Sequence, residues 1–155
     1  MTDDIKKKID VVFIAGGKFH DIDFARLEIL KLLAEDDRMK VRVFEDYSNL
    51  HAIANADFLI TYTCDVRPTL EQQRVLKEYV SSGNRWLALH GTNSILQFMS
   101  DGKVDSPRIA PVMMETLGSQ FIAHPPIEPY TVKVSQPDHP LVEGCLLYTS
   151  DAADE

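Results

Sequence analysis

Cysteine is scarce: Cys64 and Cys145 are the only two in 155 residues. Two thiols far apart in the chain exclude a disulfide framework and a thiolate-rich metal site, and they fit a reducing compartment. Long apolar stretches are missing as well. No window approaches the roughly twenty uninterrupted apolar residues of a membrane span. The N-terminus carries Asp3, Asp4 and the run Lys6, Lys7, Lys8 instead of a secretory apolar segment. A cytoplasmic protein with no membrane partner is expected. Positive charge is also short, with a net charge of -8 and no basic run besides those three lysines. Nothing is dense enough in cations to neutralise a phosphate backbone, so nucleic acid is excluded as a partner. Internal repeats and low-complexity segments are absent, and Gly16-Gly17-Lys18 lacks the full spacing of a P-loop or a dinucleotide fingerprint.

What is present suits a packed core: 45% of residues are hydrophobic, with 7 glycines and 8 prolines. At this length a single domain is expected. Residues 10–15 (DVVFIA) form an apolar, β-branched run ending in Gly16-Gly17, the pattern of a strand buried on both faces. In residues 23–34, Phe24, Leu27, Ile29, Leu30, Leu32 and Leu33 recur largely at helical spacing, with Asp21 or Asp23 placed as the N-cap. Residues 41–44 and 58–62 (FLITY) read as the second and third strands, with a short helical connection at 50–54. Residues 69–80 form a helix opened by a Thr69–Gln72 capping box and ended by Gly83, and 86–89 form a fourth strand. Alternation of short strands with helices predicts an α/β fold, a three-layer, doubly wound, mostly parallel sheet of flavodoxin-like type. Beyond His90 the pattern predicts helices at 93–99 and 112–117, the latter ended by Gly118, and a strand at 130–134. Pro125, Pro126, Pro129, Pro137 and Pro140 mark the rest as loop.

From Cys145 onward the chain reads CLLYTSDAADE, which resembles one reading frame of a transposase adapter used to prepare sequencing libraries. On that reading residues 1–144 are the natural domain, incomplete at its C-terminus, and 145–155 are a non-native tail. Cys64 is then the only native cysteine.

In an open parallel sheet the ligand crevice lies outside the carboxyl ends of the strands. His20-Asp21 follow the first strand, Cys64-Asp65 the third and His90-Gly91-Thr92 the fourth. The segment Ala88-Leu89-His90-Gly91-Thr92 parallels a nucleophile elbow, but imidazole cannot replace its serine or cysteine, so thiol-dependent amidotransfer is disfavoured. His90 and Asp21 are the candidate catalytic residues. Asp21 serves as base, as an orienter of His20, or simply as a helix cap; His90 serves as acid or base, or as a structural histidine bonded to backbone. Tyr62, Thr92 and Asn93, with Trp86, are candidates to line a substrate crevice. Neutral imidazoles bind zinc and similar divalent ions, and a catalytic site needs only three protein ligands. His20, His90 and His124 are the candidate set; the competing reading has them hydrogen-bond a sugar, or one another, without metal. His139, in a Pro-Asp-His-Pro turn, is expected to be structural, His51 solvated and Cys64 a small buried hydrophobe.

Taken in order, His20-Asp21, Leu89-His90-Gly91, residues 117–121 (LGSQF), His124-Pro125 and Asp138-His139-Pro140-Leu141 resemble the signature of the ThuA-like (trehalose utilisation) family. The resemblance spans nearly all of residues 1–144. It implies a class I glutamine-amidotransferase-like fold without the amidotransferase cysteine, and a place in the metabolism of trehalose or related glycosides. The family's usual later segment, an aromatic-rich strand with a Gly-His ending, is not in this sequence. The expected function is therefore acid-base chemistry on a small-molecule sugar derivative at a histidine-lined crevice, around a divalent metal such as zinc or without one. The alternative is a non-catalytic sugar-binding or regulatory domain of the same fold. Assembly into a homo-oligomer is left open.

Overall fold

The computed structural model describes residues 7–126 and 128–143. The chain divides between Ala123 and His124 into two compact units, each described by itself.

The first unit is built on a four-stranded, all-parallel sheet in the order β2-β1-β3-β4, from β1 (Ile9–Gly17), β2 (Met39–Phe44), β3 (Phe58–Cys64) and β4 (Arg85–Ala88). That order follows the flavodoxin-like series of doubly wound sheets. Its central strand explains the arrangement. Side chains alternate across a strand, so Val12 and Ile14 face one layer while Val11, Phe13 and Ala15 face the other. All five are fully buried, so one strand needs helices on both of its faces. Burying each of the larger side chains contributes about 1.5–3 kcal/mol.

Helix α1 (Ile22–Leu33) covers the face of Val11, Phe13 and Ile60 with Ile22, Ile29, Leu30 and Leu33. Its expected stripe is corrected in part, because Phe24, Leu27 and Leu32 point to solvent. The opposite face receives α2 (Leu50–Ala54), α3 (Leu70–Ser81) and α4 (Pro111–Leu117), which bring Ile53, Leu76, Tyr79 and Met113 onto Val12, Ile14 and Leu59. The capping box forms as expected: the Gln72 N–H donates to Thr69 Oγ1 and the Thr69 N–H donates to Gln72 Oε1. Buried Gln73 is bonded at both ends of its amide, donating to the Pro68 carbonyl and accepting from the Val112 N–H at the start of α4. Gly118, at φ 74, closes α4.

Two expected elements are corrected. Residues 93–99 form no helix; turns lead into a two-residue strand, β5 (Gln97–Phe98), paired antiparallel with β6 (Val104–Asp105). The helix is lost because its backbone is used elsewhere. The Ser94 carbonyl accepts from the Asp65 N–H, the Leu96 N–H donates to the Asp65 carboxylate, and Ile95 is buried in the core. In the second unit residues 130–134 are irregular: no strand among the described residues pairs with them, and alternation without a ladder satisfies no backbone group. Regular structure there is a 3-10 turn, Pro140–Val142, whose first N–H groups are met by His139: Nδ1 accepts from the Leu141 N–H. The tail at 145–155 lies outside the described residues. Among the described residues no helix is long and apolar enough to cross a membrane.

Candidate functional site

The carboxyl ends of β1, β3 and β4 lie side by side, and their outgoing loops bring residues from three parts of the chain together. Close approach of backbones sets the geometry. A Cβ on Gly16 would fall 2.1 Å from the Glu45 carbonyl oxygen, and one on Gly17, at φ 112, would fall 1.9 Å from that of Cys64. The two glycines therefore let neighbouring strand ends pack, and this close packing explains the pair without a phosphate.

Beyond Gly17 the chain turns through Phe19 to His20. The His20 ring lies 5.1 Å from the His90 ring and 5.8 Å from that of Tyr62, measured between centroids. A carbonyl can only accept, so the 2.9 Å contact between His20 Nδ1 and the Phe19 oxygen fixes the proton on Nδ1 and leaves Nε2 with a lone pair in the neutral ring. The Nε2 edge faces Gly91, where a Cβ would stand only 3.0 Å away. Asp21 caps α1, its Oδ1 accepting from the Phe24 N–H at 2.9 Å. The cap fixes where the helix begins and so where His20 sits.

His90 is exposed, two residues beyond β4. The strand-turn-helix of a nucleophile elbow is not completed, since no helix follows it. A hydroxyl circuit beneath anchors its loop. Thr92 is buried and donates to the Thr61 carbonyl at 3.1 Å, its Oγ1 lies 3.0 Å from Thr61 Oγ1, and the Trp86 indole N–H donates to that same Thr61 oxygen at 2.9 Å. Asn93 Nδ2 donates to Ser119 Oγ at 3.0 Å, and the Asn93 carbonyl accepts from the Phe121 N–H. A hollow of about 260 Å³ opens here, lined by His90, Gly91, Thr92, Asn93, Leu117 and Ser119.

Asp65, a candidate in the sequence only by its place after β3 and with no role assigned there, is the best-supported charge of the region. Its side chain is only 4% exposed. It accepts from Lys18 Nζ at 3.1 Å, Arg67 Nε at 3.2 Å and the Leu96 N–H at 3.1 Å. Burial pushes the carboxyl up, but the Leu96 N–H, Lys18 and Arg67 together outweigh it and hold it below the ordinary range. Only its position after a strand signalled it in the sequence. Cys64 is 2% exposed, and burial, with the charge of Asp65 beside it, pushes its thiol up. Such a thiol is a buried hydrophobe and a poor nucleophile.

Of the expected ligand set, His20 and His90 come together, while His124 lies in the second unit. The 5.1 Å centroid separation equals the roughly 5 Å that two imidazoles on one tetrahedral ion would have, with Zn–N near 2.0–2.1 Å. The Nδ1–H to carbonyl bond of His20 is the outer contact metal-bound histidines commonly make. Among the described residues no group of three His, Cys, Asp or Glu side chains converges to hold an ion. His51 is exposed on α2, its carbonyl accepting from Asn55 Nδ2. No family model, curated protein or solved structure matches the chain.

Proposed function

We propose that the chain is a ThuA-like protein acting on a sugar derivative, a trehalose-like or related glycoside, at the crevice where His20, His90 and Tyr62 meet. The observation that supports it most is the 5.1 Å approach of two imidazoles delivered by loops after different strands. Paired imidazoles suit proton transfer to and from sugar hydroxyls near neutral pH. In this reading Nε2 of His20, with its lone pair fixed by the Nδ1–H bond, takes a proton, and His90 exchanges one on the exposed side. Asp21 is a positioning residue, since its carboxylate is committed to the helix cap. Tyr62 and Asn93 border the substrate, and Thr92 braces the loop from below. A divalent ion such as zinc, if bound through His20 and His90, would occupy the Nε2 lone pair in place of the proton and would itself supply Lewis acidity and a more acidic bound water as the base.

The test follows product by mass spectrometry from a panel of glycosides and oxidised glycosides, with metal content counted on the same samples. Turnover that falls about a hundredfold or more in His90→Ala supports the reading. Saturable sugar binding by calorimetry with no product selects the alternative, a sugar-binding domain. Neither turnover nor binding overturns both.

A further inference from the structure

Among the described residues two side-chain-bearing positions hold a left-handed backbone, Phe19 at φ 67 and Asp65 at φ 56. Aspartate tolerates that region, and three donors hold Asp65 there. A phenylalanine does not adopt it without cause. Nor is Phe19 held by burial, because it is 56% exposed and belongs to neither core cluster.

That backbone conformation coincides with two contacts. The Phe19 carbonyl meets Nδ1 of His20, and its ring stands 5.4 Å from that of Phe98 on β5, tilted by 48°. Phe98 is itself 58% exposed. Two large rings are thus left in water as a pair, one residue away from the histidine that faces His90. Polar residues neighbour them along the chain: Lys18, paired with Asp65, precedes Phe19, and Lys103 pairs with Asp101 in the turn that follows Phe98. Aromatic faces edged by a few polar groups are what a saccharide ring requires, since its C–H face packs on the electron-rich aromatic face while its hydroxyls reach outward.

We propose that Phe19 and Phe98 form a stacking subsite for one ring of a saccharide whose adjoining ring lies at His20 and His90. The site then selects a two-ring saccharide over a monosaccharide. The proposal rests on the carbohydrate reading above and names its substrate class.

The test uses the full chain with isotope-labelled phenylalanine and histidine rings, titrated with trehalose, cellobiose and methyl glucoside. A disaccharide is expected to shift the ring signals of Phe19, Phe98, His20 and His90, and methyl glucoside those of the histidines alone. Phe98→Ala should weaken disaccharide binding about tenfold, to the level of methyl glucoside. Phe19→Gly should do the same while keeping the left-handed turn and the carbonyl that orients His20. If disaccharide moves the histidine signals and not the phenylalanines, or Phe98→Ala leaves the affinities equal to wild type, the subsite is overturned and the carbohydrate reading stands. If Phe98→Ala alters only sedimentation, the rings serve contact between copies and the subsite is again overturned. If no sugar moves any ring, both fall.

Discussion

The Cβ that Gly91 lacks would stand 3.0 Å from Nε2 of His20 and 2.8 Å from the Thr63 carbonyl oxygen. The glycine also holds φ 87, where an L side chain is strained. Gly91→Ala should therefore lower stability by about 1–3 kcal/mol and displace the His20 ring from His90. Urea denaturation reads the first effect and the histidine ring signals the second. Unchanged values of both would show that the loop yields freely.

The circuit of Trp86, Thr61 and Thr92 makes a second prediction. Thr92→Val keeps the shape but removes the hydroxyl, so the buried Thr61 hydroxyl loses its Thr92 partner at a cost of about 1–3 kcal/mol, while the Thr61 carbonyl keeps the Leu89 N–H and Thr61 Oγ1 keeps the Trp86 N–H. Thr92→Ser, which restores the donor, should recover most of that. Trp86 is the only tryptophan, so its fluorescence should shift in the valine variant and revert in the serine one.

For Asp65 the pH dependence has a definite sign. Its folded carboxyl titrates below the ordinary 3.8, because Leu96, Lys18 and Arg67 outweigh burial. The stability it contributes is therefore complete above 3.8 and is lost as pH falls through the lower, folded value. Asp65→Asn tolerates the same left-handed backbone and should cost about 1–3 kcal/mol at pH 7. The gap between wild type and variant should close below about pH 4. Denaturation midpoints measured from pH 7 to pH 3 check it, and a gap that widens on acidification would contradict the assignment.

Cys64 should resist alkylation in the folded state, since burial and the neighbouring Asp65 both keep it a thiol. Iodoacetamide labelling, mapped to the Cys64 peptide, should rise steeply only when denaturant unfolds the chain. Labelling of the native protein by a glutamine analogue would revive thiol chemistry at the crevice.

Much of the first unit was legible because its signals are local. The α2 range of residues 50–54, the Thr69–Gln72 capping box and the Gly118 stop came from residues that carry their own geometry. The 93–99 segment was misread because Ile95, Leu96 and Met99 have helical spacing, whereas its fate is decided by Asp65, some thirty residues earlier. The meeting of His20 with His90 could be anticipated from topology, since both follow parallel strands. The exposed pairing of Phe19 with Phe98 could not, because a left-handed phenylalanine has no sequence signature. Asp21 carries three readings in the sequence, as base, orienter and cap, and the structure gives direct evidence of the cap.

Strand β4 is four residues long and, among the described residues, hydrogen-bonds on one side only, with Leu87 46% exposed. A segment added in parallel along its outer rim would bury Leu87 and end next to His90. Whatever side chain that newcomer carried at its final position would become a fresh wall of the crevice. The repertoire of the pocket is thus open to enlargement from outside, with none of the four existing strands altered.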